Sequence, residues 1–329
     1  MESHKKALIL GISGQDGSYL AKLLLSKGYE VHGTSRDVGG RSFSGLEKLG
    51  VRDQVMLHSA SLIDFRNLLQ VISAVEPDEI YNLAGQTSVG LSFEQPMETM
   101  ESITIGTLQI LEVIRYLGLP IRFYNAGSSE CFGDVGESGK SDENSPFKPR
   151  SPYAAAKAAA FWATVNYREA YDMYACSGIL FNHESPLRPE RFVTRKIVST
   201  AVRIANGSNE KLKLGNIDIW RDWGYAPDYV EAMWLMLQQP SPDDFVIATG
   251  ESHSLREFIK DVFSKLGLDW NKYVESESCL MRPSDLMYSC GDSAKAKKDL
   301  VWEPVTRFER MIEILVNEDV KLREGRSSQ

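Results

Sequence analysis

The sequence predicts an α/β protein with a doubly wound parallel sheet and a smaller, interleaved C-terminal α/β lobe that holds the substrate. Three observations carry this prediction. Short apolar runs alternate with helical patterns in the first half, a glycine-rich segment follows the first apolar run, and the alternation breaks up after about residue 185. Strands that alternate with helices form right-handed crossovers, and these bury a parallel sheet between two layers of helices.

The first half is predicted to supply five strands of this sheet and three of the helices that cover it. Each strand is a short apolar run bounded by turn residues, and each helix carries apolar side chains at helical spacing on one side. The predicted strands are 7–10, 30–33, 55–58, 79–83 and 122–125, and the predicted helices are 19–26, 68–72 and 106–116.

The second half is predicted to form a less regular lobe that is interleaved with the first domain. Proline and glycine interrupt its elements at positions 186, 189, 207, 215, 224, 227 and 240, as expected of a lobe that shapes a pocket. Residues 244–248 again have the pattern of a sheet strand. We therefore assign residues 1–185 and roughly 225–250 to the first domain, and residues 186–224 and 251–329 to the second lobe.

The composition favours a globular cytoplasmic enzyme that binds no nucleic acid, no membrane and no metal. The 329 residues include 37 basic and 45 acidic side chains, a net charge of −8 without a Lys/Arg block. No apolar stretch reaches the roughly 18 residues that span a bilayer. The four cysteines form no CxxC pair and the five histidines lie far apart, which predicts reduced thiols and no metal site.

A glycine-rich segment after the first strand has the pattern of a dinucleotide-binding loop. Glycine lets the chain turn tightly and lets its backbone approach a pyrophosphate, which the N-terminus of the following helix attracts. A plain tight turn is the alternative, but the strand before it and the helix after it favour a Rossmann-type cofactor site. The segment consists of Gly11, Ile12, Ser13, Gly14, Gln15, Asp16 and Gly17.

The end of the second strand favours NADP over NAD as the cofactor. Arg36 lies roughly 20 residues after Gly17, where a guanidinium clamps the 2′-phosphate of NADP and an acidic residue binds the 2′-hydroxyl of NAD. Asp37 leaves NAD possible, because its carboxylate can pair with Arg36 or bind a hydroxyl group.

Tyr153, Lys157 and Ser128 form the predicted catalytic group. Tyr153 and Lys157 are four residues apart on one face of a predicted helix, and the ammonium, together with a cationic nicotinamide, is expected to lower the pKa of the phenol. Ser128 follows strand 122–125 at the edge of the sheet where such folds place their chemistry. Its hydroxyl is expected to bind the substrate oxygen that Tyr153 deprotonates. An exposed helix pair is the alternative interpretation of the Tyr/Lys spacing.

In this order, the glycine segment, the serine and the Tyr/Lys pair resemble the extended short-chain dehydrogenase/reductase superfamily over nearly the whole chain. Glu130 resembles the acid of the 4,6-dehydratases in that superfamily, which implies a base for sugar C5 and an acid for the departing C6 hydroxyl. A structural cap or a surface acid is the alternative interpretation of Glu130.

Longer stretches resemble the GDP-mannose 4,6-dehydratase family in particular. They are 14–20, 81–84, 150–157, 165–171, 178–186, 193–196, 221–224, 228–234 and 282–283. The resemblance implies an NADP-dependent lyase that converts GDP-mannose to GDP-4-keto-6-deoxymannose, a step toward deoxysugars. The first domain would hold NADP, and the second lobe would hold the nucleotide sugar.

The same resemblance implies a set of contacts with the two ligands. The implied cofactor contacts are Leu62, Leu83, Ala84, Gly85, Tyr153, Lys157, His183 and Arg188. The implied substrate contacts are Gln86, Ser88, Asn182, Lys196, Arg221, Arg282 and Asp285. His183 can instead be a satisfied core histidine, and Arg195, beside Lys196, can belong to a solvated face.

Departures from the family pattern keep several alternatives open. The family usually has other residues at positions 37, 61, 87–88, 187 and 189, which leaves open NAD as cofactor and another GDP-sugar, such as a GDP-heptose, as substrate. A C4 epimerase or C4 oxidase/reductase of a GDP-sugar is a second function, and a nucleotide-sensing protein without catalysis is a third. The intact catalytic group favours an enzyme, and the resemblance implies a homodimer or homotetramer.

Overall fold

Thirteen strands and twelve helices are distributed over residues 4–40, 42–137 and 139–327, which this computed structural model describes. The strands are β1 (Lys6–Leu10), β2 (Glu30–Ser35), β3 (Met56–Ser59), β4 (Glu79–Asn82), β5 (Arg122–Ala126), β6 (Ala175–Leu180), β7 (Asn182–Glu184), β8 (Leu212–Leu214), β9 (Trp220–Tyr225), β10 (Phe245–Ile247), β11 (Ser252–Ser254), β12 (Val274–Ser276) and β13 (Tyr288–Ser289). The helices are α1 (Gln15–Ser26), α2 (Ser44–Lys48), α3 (Phe65–Val75), α4 (Val89–Glu94), α5 (Pro96–Met100), α6 (Gly106–Leu117), α7 (Pro152–Tyr171), α8 (Val193–Ala205), α9 (Ala226–Gln238), α10 (Leu255–Lys265), α11 (Ala294–Asp299) and α12 (Phe308–Ser327).

Seven of these strands form one parallel sheet in the order β3-β2-β1-β4-β5-β6-β10. From β1 the chain adds β2 and β3 on one side of the sheet, and from β4 onward it adds strands on the other side. The carboxyl ends of β1 and β4 therefore border a crevice of the kind that binds ligands in doubly wound folds. The predicted doubly wound parallel sheet is therefore confirmed.

Successive side chains of β1 point to opposite faces of the sheet, and different helices cover the two faces. Ala7 and Ile9 pack in one cluster with α1 and α9, whereas Leu8 and Leu10 pack in another with α3 and α6. Because both faces are buried, the strand is an unbroken apolar run in the sequence and not an alternating one.

A second core joins α8, α10 and α12 to the smaller strands of the C-terminal half. Ile197 on α8, Phe258 on α10 and Met311 on α12 are fully buried in this cluster. Strand β9 pairs with β7, β11 and β13, while β8 pairs with β12. This lobe therefore packs beside the carboxyl edge of the large sheet, where β7 continues the chain directly after β6.

Helix α1 begins four residues before the apolar pattern of the sequence predicts. Its first turn is polar, so hydrophobic periodicity does not reveal it, but tertiary contacts stabilise it. The Gln15 amide donates to the His183 carbonyl over 3.1 Å, and the Ser18 hydroxyl donates to the Gly14 carbonyl over 2.8 Å. The remaining predicted elements of the first half agree with the structure to within a few residues at their ends.

The segment around α11 lies in the range assigned to the second lobe but packs in the core of the first domain. Leu300 and Trp302 belong to the cluster that covers β1 on the side of α1 and α9. The Trp302 indole donates to the Asp228 carbonyl over 2.9 Å, and the Asp228 carboxylate accepts from the Thr306 amide over 2.8 Å. These bonds anchor the segment on α9.

None of the described helices has the length and apolar character needed to cross a membrane.

Candidate active site

The glycine segment after β1 has a shape that fits a dinucleotide. Gly11 has φ +84°, and a Cβ on it would lie 2.9 Å from the backbone of Ala84 at the end of β4. A Cβ on Gly17 would lie 2.6 Å from the Cα of Ile12, so α1 can approach the loop only with glycine there. Within the part of the chain that the structure describes, no side chain caps the N-terminus of α1, so its positive end stays open toward an anionic diphosphate.

Arg36 is exposed just beyond the end of β2, and its guanidinium makes no hydrogen bond or ion pair within the described part of the chain. Asp37 does not pair with it. Instead, Asp37 Oδ1 accepts from the amides of Gly39 at 3.0 Å and Gly40 at 3.1 Å, and so closes the turn after the strand. This geometry disfavours the interpretation in which Asp37 pairs with Arg36, and it leaves the Arg36 guanidinium open to a phosphate.

A cavity of about 350 Å³ lies at the carboxyl ends of β4, β5 and β6 and brings together most of the predicted catalytic and substrate residues. The predicted residues that line it are Asp16, Leu83, Ser88, Ser128, Glu130, Tyr153, Lys157, Asn182, His183, Arg188, Lys196, Arg221 and Arg282. Residues 11–15, Gly17, Arg36, Leu62, Ala84, Gly85, Gln86 and Asp285 lie outside this lining. The cavity therefore joins the catalytic group to a set of basic side chains from the second lobe.

Short local motifs fix the catalytic side chains. Ser128 precedes a single 3₁₀ turn, Ser129–Cys131, and its hydroxyl accepts from the Glu130 amide over 3.3 Å. Tyr153 lies in the first turn of α7, which Ser151 caps by accepting from the Ala154 amide over 3.1 Å. Lys157 Nζ lies one turn later, 5.9 Å from the centre of the Tyr153 ring, and donates to the Ala126 carbonyl over 2.7 Å.

The expectation that Lys157 and a cationic nicotinamide favour the phenolate of Tyr153 stays a prediction, and burial works against it. Burial raises the pKa of Tyr153 well above that of a free phenol, and the hydrogen bond with Ser128 opposes this only in part. Burial also lowers the pKa of Lys157, to about 8. Both groups lose their hydration in the cavity wall, and the desolvation of the phenolate outweighs the stabilising contacts around it.

Glu130 is half-buried in the cavity, and its carboxylate accepts no hydrogen bond from the described residues. Burial raises the pKa of Glu130, and the positive charges of Arg221 and Arg282 oppose this increase. A carboxyl group with a raised pKa and no fixed partner is suited to take up and release a proton during a reaction. The structure therefore disfavours the surface-acid interpretation of Glu130.

Arg221 and Arg282 share one carboxylate that lies behind the cavity wall. Asp285 Oδ1 accepts from Arg221 over 2.9 Å and from Arg282 over 3.3 Å, and Arg221 also donates to the Leu286 carbonyl over 2.8 Å. Asp285 itself does not line the cavity, and its contact with the substrate stays a prediction. Because its carboxylate is bound between two guanidinium groups, Asp285 orients both of them.

Lys196 and its neighbour Arg195 have different surroundings on α8. Lys196 lines the cavity and donates to the Lys213 carbonyl over 2.6 Å. Arg195 is 8% exposed and pairs with Asp319 on α12 at 2.5 Å, which excludes the solvated-face interpretation.

His183 satisfies both of its ring nitrogens within the protein. Nδ1 lies 2.7 Å from the Phe181 carbonyl, Nε2 lies 3.0 Å from Asp16 Oδ2, and the ring stacks on Tyr229 with 4.6 Å between centroids. Although burial opposes protonation, the Asp16 carboxylate raises the pKa of His183. Since both nitrogens face acceptors, the imidazolium form fits this site best, and the pair clamps β7 to the start of α1.

Gln86 stabilises one wall of the cavity without lining it. Its side-chain amide donates to the Ser88 carbonyl over 2.8 Å and to the Thr99 hydroxyl over 3.2 Å, and its side-chain oxygen accepts from the Ser88 amide. Ser88 lines the cavity and caps α4 by accepting from the Leu91 amide over 3.3 Å. Both ends of the Gln86 amide are thus bound to the protein, and its contact with the substrate stays a prediction.

A family model described as GDP-mannose 4,6 dehydratase matches residues 8–315 of the chain. The chain belongs to this GDP-mannose 4,6-dehydratase family. GDP-mannose 4,6 dehydratase 2 of Arabidopsis thaliana is 48% identical over 332 residues, which cover 98% of this chain and 88% of that protein. GDP-mannose 4,6 dehydratase of Homo sapiens is 44% identical over 341 residues, which cover 96% of this chain and 91% of that protein.

A more distant solved structure has the same fold. A dTDP-glucose 4,6-dehydratase of Streptomyces venezuelae, solved with NAD and TYD bound, matches with a TM-score of 0.86 at 22% identity, covering 98% of this chain and 98% of that chain. At this identity the likeness establishes the Rossmann-type fold alone. The family membership confirms the predicted nucleotide-sugar 4,6-dehydratase and disfavours the C4 epimerase and C4 oxidase/reductase alternatives.

The dehydratase cavity also contains residues that sequence reasoning missed. Glu184 and Thr194 line it and are joined by a hydrogen bond of 2.7 Å, and Glu184 Oε2 lies 3.4 Å from Arg188 Nε. Arg191 adds another guanidinium to the same wall. Glu184 and Thr194 fall inside the family-like stretches 178–186 and 193–196, so those stretches contained the signal that identifies them.

Proposed function

We propose that this protein converts GDP-mannose to GDP-4-keto-6-deoxymannose and uses NADP as its cofactor. One observation carries the proposal: Ser128, Tyr153 and Glu130 converge on a single cavity that Arg221 and Arg282 also line. The first three groups suit redox chemistry at C4 and loss of water across C5 and C6. The arginines suit a diphosphate, because guanidinium groups bind phosphate oxygens in pairs.

We assign the nucleotide end of the substrate to the basic side chains of the second lobe. Asn182 and Lys196 line the cavity beside Arg221 and Arg282, so the diphosphate would lie between β7, α8 and β9. A chain with a net charge of −8 can hold such an anion only where it gathers cations locally, as it does here. The first domain would hold the cofactor on the glycine segment, and the second lobe would hold GDP.

The oxidation at C4 depends on Tyr153, Lys157 and Ser128. A nicotinamide cofactor bound here supplies the hydride acceptor for C4 and the hydride donor for C6, and its positive charge favours a phenolate nearby. Tyr153 takes the proton of the C4 hydroxyl, and Ser128 holds that oxygen by a hydrogen bond. Tyr153 would give this proton back to C5 when C6 is reduced, which restores the phenolate and balances the reaction. Lys157, with its pKa near 8, is largely protonated at neutral pH and stabilises the phenolate across the 5.9 Å between its Nζ and the ring centre.

The elimination of water depends on Glu130. The C4 ketone acidifies the C5 proton, and the Glu130 carboxylate takes that proton as the C5–C6 double bond forms. The C6–O bond breaks at the same stage, and Glu130 returns its proton to the departing hydroxyl, which leaves as water. Its raised pKa suits both tasks, because the same group must be a base first and an acid next.

Mass spectrometry of the reaction products tests this function. The purified protein with added NADP is incubated with GDP-mannose, and in parallel with a GDP-heptose. Loss of one water from GDP-mannose, with the rate on GDP-heptose much lower, is the expected result. Efficient loss of water only from GDP-heptose would change the substrate, and a C4 stereochemical change with the C6 hydroxyl retained would overturn the dehydratase function.

Arg36→Ala is expected to weaken NADP binding about ten- to a hundredfold and to leave NAD binding nearly unchanged. The guanidinium has no partner in the described residues, and a charge-assisted bond to phosphate contributes on the order of 1.5–3 kcal/mol. Titration of the protein with each cofactor measures both affinities. Asp37→Ala is the matched control, since Asp37 closes the neighbouring turn, and equal losses for NADP and NAD in Arg36→Ala would contradict the assignment.

Asp285→Asn is expected to move the acid limb of the kcat/KM profile to lower pH. The negative charge of Asp285 helps to raise the pKa of Glu130, so its removal favours the Glu130 carboxylate and preserves the base at lower pH. The pH profile of GDP-mannose turnover provides the measurement, and Asp285→Glu, which keeps the charge, should retain the original limb. A shift to higher pH would contradict the proposed role of Glu130 as the base.

We also propose that the protein works as a homodimer or homotetramer, as the family resemblance implies. Sedimentation equilibrium of the purified chain tests this, and a monomer that is fully active would overturn it.

A further inference from the structure

The chain from Pro96 to Leu117 is one continuous helical stretch that contains a π-helical turn at Glu101–Ile105, between α5 and α6. A π turn uses i→i+5 hydrogen bonds and so inserts one extra residue into the helix. Such turns are rare and occur often at functional sites. One hydrogen bond on each side of this π turn holds the helix in place. Asn82 at the end of β4 donates to Thr107 over 3.1 Å, and Gln86 donates to Thr99 over 3.2 Å.

One side of the π turn supports the cavity wall at residues 87–89. The Gln86 amide donates to the Ser102 hydroxyl over 3.2 Å, while the Gln86 side chain holds Ser88. Gly85, with φ +120°, packs so closely that a Cβ on it would lie 3.1 Å from Ile103 Cγ1 and 3.3 Å from the Ser102 carbonyl. Ser102 is therefore connected to this wall through a single residue, Gln86.

The other side of the π turn supports the catalytic helix. Ile103 packs in one buried cluster with Tyr153 and Ala156. The Thr104 hydroxyl is buried and donates to the Ala156 carbonyl over 3.0 Å, between Tyr153 and Lys157 in the sequence of α7. Three successive residues of the turn therefore have three roles: Ser102 acts on the wall through Gln86, Ile103 packs in the cluster of the catalytic tyrosine, and Thr104 bonds the helix that carries it.

We infer that the π turn sets the position of the sugar-facing wall relative to the catalytic phenol, with Ser102 acting on the wall and Thr104 acting on Tyr153. Both are positioning residues, since neither lines the cavity. The extra residue of the turn lets Ser102 and Thr104 reach two separate elements while α5 and α6 stay anchored near β4. The inference rests on the proposed function, because it assigns the wall to substrate binding and Tyr153 to proton transfer.

Two single-hydroxyl variants separate these roles. Thr104→Val is expected to lower kcat for GDP-mannose about tenfold with KM nearly unchanged, because a misplaced Tyr153 affects only the chemical step. Ser102→Ala is expected to raise KM about fivefold and to leave kcat within about twofold, because a loosened wall weakens ground-state binding. Thr104→Ser, which keeps the donor, should restore most of the rate.

A matched control and a second measurement make the test independent of overall stability and of the reaction. Thr164→Val removes a fully buried hydroxyl from α7 that donates to the Ala160 carbonyl over 2.9 Å, away from the cavity, and should change neither kinetic constant. Amide hydrogen exchange should accelerate at residues 86–91 in Ser102→Ala and at residues 152–157 in Thr104→Val.

Each failure has a distinct result. Wild-type protein that does not dehydrate GDP-mannose would overturn the proposed function, while the exchange measurements would still test the π turn. Active wild type together with an identical kcat and KM pattern in the two variants, or unchanged exchange in both segments, would overturn the inference.

Discussion

Glu130→Gln is expected to lower the rate of formation of the 4-keto-6-deoxy product by about three orders of magnitude. Glutamine has nearly the same shape but cannot take the C5 proton or return one to the C6 hydroxyl, so a single substitution removes both proton transfers. Oxidation at C4 needs only Tyr153, Lys157 and Ser128 and should continue. Reduced nicotinamide should therefore accumulate in a single turnover, which absorbance in the near ultraviolet measures directly.

Glu143 offers a matched control for this substitution. Its carboxylate accepts from the Val246 amide over 2.7 Å, and burial raises the pKa of Glu143 as it does for Glu130, but Glu143 lies outside the cavity lining. Glu143→Gln should therefore retain the wild-type rate. Product formation by Glu130→Gln at the wild-type rate would exclude Glu130 from the elimination step.

Tyr153→Phe is expected to lower product formation by about three to four orders of magnitude, and it should stop the reaction at an earlier step than Glu130→Gln does. Without the phenol, no group takes the C4 hydroxyl proton, so reduced nicotinamide should not accumulate. The ring still packs against Ile103 and Ala156, so binding of GDP-mannose should change little. Stopped-flow absorbance compares the two variants under the same conditions.

Tyr124→Phe provides the control for loss of a buried phenol hydroxyl. Tyr124 lies on β5 in the core, and its hydroxyl has no hydrogen-bond partner among the described residues. Removal of that hydroxyl should leave the rate unchanged. A burst of reduced nicotinamide in Tyr153→Phe that matches the burst of Glu130→Gln would show that another group deprotonates the C4 hydroxyl.

Because the pKa of Tyr153 is raised, ligand binding must supply the stabilisation that the phenolate needs. Burial disfavours the phenolate, and the Ser128 hydroxyl and the positive charge of Arg188 oppose this only in part. A buried tyrosine of this kind stays protonated until ligands bind. It becomes a base only when a positive charge and hydrogen bonds stabilise its phenolate oxygen. The catalytic group is thus poised by its surroundings and not by the Tyr/Lys spacing alone.

The sequence alone determined the parts of this protein that depend on neighbouring residues. The run Ala7–Leu10, the glycines that follow it and the four-residue spacing of Tyr153 and Lys157 predict a strand, a phosphate loop and a helix face, because backbone preference and periodicity are local. The identity of the family followed from such stretches taken in order.

The roles that depend on residues distant in the chain became visible in the fold. Asp285 pairs with Arg221 across 64 positions, and Asp16 pairs with His183 across 167 positions, so neither role is visible in a local pattern. The pKa directions of Tyr153 and Glu130 also required the fold, because burial comes from the packing of separate elements around a side chain. The sequence specifies which chemical groups are present and how neighbouring ones are spaced. Desolvation and pairing across the fold then decide the protonation and the partner of each group.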